Sequence, residues 1–505
     1  MRPARFFDFP ALATVAAAAV AVIVAVPACS GGGGSGEKAA TLVSGPIISD
    51  QAWTRAGSPY VVAGDVVVEE GATLTIEPGV DVRFRPAPAA ADGEPHGRSI
   101  RVRGALVAVG TKRSPIRFQS EVRVSSDRDR WNQIRFEPGS RNAEFDGDSV
   151  AGGSRIEHAI LQGAGNSAVY AERSAPYLAR CRFRQNASLY DKGDEVLVDP
   201  GYNLDQRVKG GAVYAWRPDG PFRVVECEFT ANLCDGMGGA LAIVEAETPD
   251  VLVADSEFSR NVTTIGGHGG PKHERSGVAH GGGAIRLLGT AARIERSAFR
   301  MNVAEAGGAI HASYYSHFEA SDCRFDRNEA DELGAALFIA HFSDPRILRS
   351  AFTRNSVSNR TGDPAGGHGG GIAIIGNCSP VIEECSFVRN LSVRSGGAVS
   401  CDNLLRPAPH GTLAILRSTI DGNAKPGAAA LYFSLYDFVE VSGCRIVNHG
   451  GRAIEVRTRE QDVNVIAQGN WWGTTVREKI ASSISNRPEG AGKAVVVFEP
   501  FETSP

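Results

Sequence analysis

Two residues of this chain have types and a spacing that suit joint chemistry. Arg286 closes Gly283-Ala-Ile-Arg and His311 closes Gly308-Ala-Ile-His, the same place in two successive copies of one pattern. If that pattern is a strand stacked on its own next copy, the two residues lie about 5 Å apart at the backbone. A histidine or arginine so placed could act as the base of a β-elimination, provided it comes within hydrogen-bond reach of the proton. Tyr214 and Trp216, at neighbouring outward positions, could stack on sugar rings, with Arg286 for an anionic group and Phe338 as a further ligand-binding residue. The ligand this suggests is an extended, charged polysaccharide.

Whether these residues meet depends on the repeat. Phe-x-x-Asn recurs at Phe183/Asn186, Phe229/Asn232, Phe258/Asn261, Phe299/Asn302, Phe325/Asn328, Phe352/Asn355 and Phe387/Asn390, with a worn copy at Ile420/Asn423. Each is followed by a small-residue step and an apolar strand, as in Gly239-Ala-Leu, Gly308-Ala-Ile and Gly397-Ala-Val. Without inserts the period is about 26 residues, one turn of a coil that buries its apolar face only by stacking. Parallel pairing of successive coils predicts an all-β, single-stranded right-handed parallel β-helix, with the handedness set by the crossover rule. The Phe column should stack inside. The Asn column should sit at a bend, where an amide tolerates a left-handed backbone and bonds to its counterparts above and below.

Strand alternation then separates inside from outside. After the glycine step, Leu241/Ile243, Ile285/Leu287 and Ile310/Ala312 point inward. The residues between them form one outward column: Tyr214, Ala242, Arg286, His311, Phe338, Ala373, Ser400, Tyr432 and Glu455. Three long inserts, 187–209, 262–281 and 356–369, leave the same corner and should overhang this column, with His268, His280 and His368 in its wall. The histidine spacings match no metal-site signature, so neither metal nor cofactor is expected. No coil supplies paired outward carboxylates for a hydrolase, since Asp402 and Glu455 fall in separate columns and coils.

Composition bounds the rest. The chain has 505 residues, 53 basic and 57 acidic, a formal charge of −4, and no basic stripe that would suit nucleic acid. Residues 1–29 read as a targeting segment: Arg2 and Arg5, an apolar run from Ala11 to Val26, then a small-residue site before Cys29. That run is short of the roughly 20 residues a membrane span needs. Residues 30–44 read as a glycine-rich tether, 45–155 as capping coils, 156–467 as regular coils and 468–505 as a C-terminal cap. Cys181, Cys227, Cys323, Cys385 and Cys444 share a repeat position with Ser256, Ser297, Ser350 and Ser418, which points to reduced, stacked thiols. Cys378 and Cys401 fall outside that column and are the candidates for a disulfide.

These motifs carry a family resemblance. The segments 56–60 (Ala-Gly-Ser-Pro-Tyr) and 71–79 (Gly-Ala-Thr-Leu-Thr-Ile-Glu-Pro-Gly), the Cys/Ser-x-Phe-x-x-Asn coils and Gly469-Asn-Trp-Trp-Gly resemble bacterial right-handed β-helix repeat lipoproteins of the pectate-lyase-like superfamily. The coils are also similar to the repeats of chlamydial polymorphic outer-membrane proteins. The resemblance implies lipidation at Cys29 and an outer-membrane location, periplasmic or surface-exposed. It says little of activity, because this fold hosts lyases, hydrolases, epimerases, adhesins and fibres. The expected role is a monomeric, non-catalytic module that binds glycan or another surface component and holds the membrane through a lipid anchor. The alternative is a polysaccharide lyase or related carbohydrate-active enzyme using Arg286 or His311.

Overall fold

A computed structural model describes residues 39–86, 97–188, 209–246, 250–264, 281–360, 362, 366–402, 411–434, 438–458, 463–488 and 493–504, with the backbone of 22–25, 198–199 and 204–205. One coil serves as the pattern. A first strand, Val213–Trp216, turns into a second, Phe222–Val225, and a third, Glu228–Thr230. A short fourth piece, Leu233–Cys234, leads through the glycine step to the next first strand, Leu241–Val244.

Every strand type pairs in parallel with its own kind one coil on. First strands run Val213 to Leu241, Ile285, Ile310 and Leu337 in unbroken register. Second strands form a 15-stranded sheet reaching from Gln51–Trp53 to Ala494–Val497. The segments expected as caps therefore contribute rungs of the same stack. Thr41–Ile47, partly within the expected tether, already pairs in parallel with Tyr60–Val68. Inside the expected leader, the described backbone of Val22–Ala25 runs antiparallel to 41–44. At the far end Trp472 is buried, the short helix Arg477–Ser482 packs Ile480 on the core, and Phe498 and Phe501 lie against it.

Three columns hold the stack together. Phe183, Phe229, Phe258, Phe299, Phe325, Phe352 and Phe387 stack face to face, with ring centroids 4.6 to 5.0 Å apart. All are fully buried, which stabilises by roughly 1.5–3 kcal/mol per ring. Beside them the Asn side chains form a closed ladder. Asn328 Nδ2 donates to Asn355 Oδ1 at 3.0 Å and to Phe299 O at 3.0 Å. Its Oδ1 accepts from the backbone N–H and Nδ2 of Asn302. The left-handed residue at this bend is the one before each Asn, such as Arg327 (φ 52°) and Arg354 (φ 55°). The Asn supplies hydrogen bonds, and its neighbour supplies the turn.

The third column explains the Cys/Ser exchange. Ser350 Oγ donates to Leu348 O at 2.9 Å and accepts the N–H of Cys323 at 3.1 Å. Cys323 Sγ donates to Ser321 O in the same manner. A thiol and a hydroxyl both meet this need. A second ladder of the same kind corrects the disulfide expectation: Thr290, Ser316, Ser343 and Cys378 stand on successive coils. The N–H of Thr290 is taken by Ser316 Oγ, that of Ser316 by Ser343 Oγ and that of Ser343 by Cys378 Sγ. Cys401 points inward between Ile374 and Phe433. Both cysteines are buried and neither forms a disulfide.

Candidate functional site

The outward column forms as its spacing requires. Arg286 pairs with His311, His311 with Phe338, and Tyr214 with Ala242 on adjacent first strands. The inserts leave from one short sheet to which Ala187–Ser188, Val262–Thr263 and Ser356–Val357 all belong. The three inserts therefore leave from one corner of the stack, as expected.

It is not an open groove. Arg286 is 0% exposed, His311 1% and Phe338 1%. Tyr214 is buried in a small outer cluster with Tyr170, Ala242, Val244 and Leu288, closed by Trp216 and Tyr314. Trp216 is half-buried beneath the Arg217 guanidinium, 5.3 Å from its ring centroid. Phe338 packs with Ala306, Ala340 and Ala373, and His311 meets it edge-on at 4.7 Å. A side chain at Gly281 would collide with His311 Nδ1, so the chain passes directly over this ring. Tyr214, expected as a stacking platform, and Phe338, expected at the ligand, are thus the floor of a second apolar layer. Alternation gave their direction correctly, but outward from the coil is not outward to water.

Arg286 is the unusual member. Its Nη2 donates to Ser313 Oγ at 2.8 Å, while Nε and Nη1 have no partner among the described residues. Burial pushes its guanidinium down to about 9, with the nearby Tyr314 acting in the opposite sense. His341, also near this charge, is driven to about 4 chiefly by burial and then by Arg286. Its ring stacks on Tyr314 at 4.5 Å. The arrangement groups Arg286, His311, Ser313, Tyr314 and His341 across three coils. A buried guanidinium with open donors is costly and suited to an anion.

His368 lies elsewhere. It stacks over Tyr432 at 5.0 Å, its Nδ1 faces Ser395 O at 3.2 Å, and burial pushes it to about 4. Glu455, buried next to Tyr432 in the column, accepts from Ser395 Oγ at 2.9 Å and from Arg457 Nε at 3.0 Å. Asp402 also acts on Tyr432, so the structure draws Asp402 and Glu455 to one ring despite their separate columns. His268, His280 and Cys29 lie outside the described residues. Among the described residues no group of three or more His, Cys, Asp or Glu could hold a metal ion.

The exposed aromatic surface is at a corner the spacing argument passed over. Tyr315 (55% exposed) and Phe342 (38%) stack at 5.2 Å with their rings 9° apart. Both sit at positive φ, 62° and 60°, directly after Tyr314 and His341. The doublets Tyr314-Tyr315 and His341-Phe342 at equal repeat positions were the available sequence signal. One coil earlier this corner holds a single residue, Gly289, between Leu288 and Thr290. Tyr315 is therefore the extra residue of a wider corner.

Residues 265–471 match the family model described as right-handed β-helix region. The chain is a right-handed parallel β-helix. A stretch of 92 residues of this chain is 35% identical to "Protein bark beetle" of Drosophila melanogaster, covering 18% of this chain and 3% of that protein. Among solved structures it is similar to the periplasmic alginate epimerase AlgG at 10% identity, with 91% of this chain and 85% of that one covered and a TM-score of 0.33. PfbA, a surface adhesin of Streptococcus pneumoniae, follows at 11% identity, 89% and 83% coverage and 0.32. The GH136 lacto-N-biosidase of Eubacterium ramulus gives 10% identity, 86% and 62% coverage and 0.27.

Proposed function

We propose that this β-helix is a non-catalytic binding module of a bacterial envelope, held there by a lipid on Cys29, and that it binds glycan or another surface component. The observation that carries the reading is the Tyr315–Phe342 ledge. Two large aromatic rings stand in water at left-handed backbone positions, where bulky residues are disfavoured. An exposed aromatic ring face suits the axial C–H groups of a sugar. Binding is favoured over β-elimination because Arg286 and His311, at 0% and 1% exposure, cannot come within reach of a substrate proton in this conformation.

A panel of neutral and charged glycans titrated against the full chain tests this, with Tyr315→Asn and Phe342→Asn as variants, since Asn tolerates positive φ. Neutral-glycan binding that falls about tenfold or more in both variants, with no unsaturated product from the charged glycans in ultraviolet absorbance, supports the module. Product that disappears in His311→Ala would replace it with a lyase. The anchor is tested apart from the ligand: Cys29→Ala should leave the membrane fraction, and a variant that stays there removes the lipid from the proposal.

A further inference from the structure

Two corners of the coil carry exposed charged residues at positive φ, and they are built differently. At the corner before the Cys/Ser ladder, opposite charges alternate between coils and meet. Arg296 pairs with Asp255 at 2.8 Å, Arg349 with Asp322 at 2.8 Å and Arg417 with Glu384 at 3.6 Å. At the corner before the Asn ladder, Arg327, Arg354 and Arg389 occupy the same position on three successive coils (φ 52°, 55° and 55°). Their N–H groups bond to Thr353, Val388 and Asp421 of the next coil, each at 3.0 Å, which fixes them as a row one coil apart. Arg324 stands on the third strand of the same coil as Arg327, facing outward.

Arg324, Arg354 and Arg389 are exposed and have no ion pair or side-chain hydrogen bond among the described residues. Arg327 has a weak partner in its own neighbour, Asp326, at 3.6 Å. The other carboxylates nearby are Glu329, exposed on the short strand, and Asp421, which pairs with Arg445 at 3.6 Å. Like charges directly opposite on paired strands repel. The neighbouring corner shows how this chain neutralises such positions with acids, and here it does not.

We propose that the row Arg324, Arg327, Arg354 and Arg389 is a binding strip for a linear polyanionic glycan lying along the helix axis. The guanidinium fork matches a carboxylate in a bidentate manner that lysine cannot. Arg327, Arg354 and Arg389, one per coil with a repeat of about 5 Å and Arg324 beside the first, suit a polymer with one acidic group per sugar. The outward residues beside the row, Ala351, Thr353, Ser386 and Val388, include no aromatic ring on which a nucleic-acid base would stack. This strip lies at a different corner from Tyr315 and Phe342 and does not rest on their role.

The test is equilibrium binding of the full chain to polygalacturonate, with dextran and dextran sulfate as neutral and sulfated comparisons, over a series of salt concentrations. Arg354→Asn with Arg389→Asn keeps residues that accept positive φ and should leave the melting temperature unchanged. It should weaken polygalacturonate binding roughly tenfold or more and flatten the salt dependence. Arg296→Asn with Arg349→Asn, on the paired corner, should leave affinity within about twofold, and so should Tyr315→Asn. Tighter binding of dextran sulfate than of polygalacturonate would make the ligand a sulfated glycan on the same strip. No binding of the parent chain at low salt, equal loss from both arginine pairs, or equal affinity for single-stranded DNA or anionic vesicles would each overturn the proposal.

Discussion

Arg286 and His311 are register partners on adjacent coils, yet the side chain that Arg286 bonds belongs to Ser313, two residues beyond His311. The guanidinium is therefore aimed along the coil, toward the Tyr314–His341 stack, and not across to the imidazole. It lies in a layer from which water is excluded, with two donors open. Replacing such a charge with an apolar side chain of similar length removes a desolvation penalty. Arg286→Met is expected to leave the denaturation midpoint unchanged or raise stability by about 1–4 kcal/mol. A loss of more than about 2 kcal/mol would mean that the guanidinium has a partner that the arrangement described here does not supply.

Acid should unfold this protein through histidines that are buried neutral. His341, His368 and His449 are each pushed down to about 4, chiefly by burial. Between the ordinary histidine value of about 6.5 and 4 the unfolded chain binds more protons than the folded one. Stability then rises with pH across that window, and falls as pH drops from 6.5 toward 4. A denaturant series from pH 7 to pH 4 should show this decline, and His341→Phe or His449→Gln should make it shallower. A flat profile in the parent chain would exclude the burial of these imidazoles.

The Asn ladder makes a sharper statement about stability. Removing one amide leaves donors and acceptors on both neighbours without partners. In Asn328→Ala, the Asn302 backbone N–H and Nδ2 lose their acceptor, and Phe299 O and Asn355 Oδ1 lose a donor. The expected cost is about 3 kcal/mol or more by chemical denaturation. Arg327→Gly, the left-handed position beside it, should cost less than about 1 kcal/mol, because glycine accepts that backbone. If the two variants were equally damaging, the bend and not the amide would be what holds the corner.

The columns were legible because they repeat. Phe-x-x-Asn, the glycine step and the Cys/Ser position recur in enough copies for alternation to assign inside and outside, and Arg286/His311 adjacency followed directly. Burial of that outward column was not legible. It depends on where the Ala306 and Leu333 segments pack, which no local period encodes. Cys378 looked isolated because its ladder partners are Thr290, Ser316 and Ser343, none of them a cysteine and none next to a Phe-x-x-Asn motif. The Tyr315–Phe342 ledge was missed because it lies at a corner, outside the strand alternation that organised the reading.

The thiols should be inert in the native state. Burial pushes Cys323, Cys378, Cys385 and Cys444 up to about 12, and each Sγ already donates to a backbone carbonyl. A thiol-specific reagent should label these cysteines after unfolding and not before. Cys323→Ser should be within about 1 kcal/mol of the parent, whereas Cys323→Val, which can neither donate nor accept, should cost about 1–3 kcal/mol. Rapid labelling of Cys378 in the folded protein would contradict its place at the end of the second ladder.

Stability and binding should separate at the aromatic ledge. Tyr315 and Phe342 belong to no buried apolar cluster among the described residues, and their left-handed backbone disfavours bulky residues by about 1–2 kcal/mol each. Their ring stack returns about 0.5–1.5 kcal/mol. Tyr315→Asn with Phe342→Asn is therefore expected to match or exceed the parent in melting temperature while losing glycan binding. That combination is characteristic of residues kept for a ligand and not for the fold. If instead the double variant melted several degrees lower and bound unchanged, the ledge would be a brace for the Tyr314–His341 stack beneath it, and the binding face would have to be sought elsewhere.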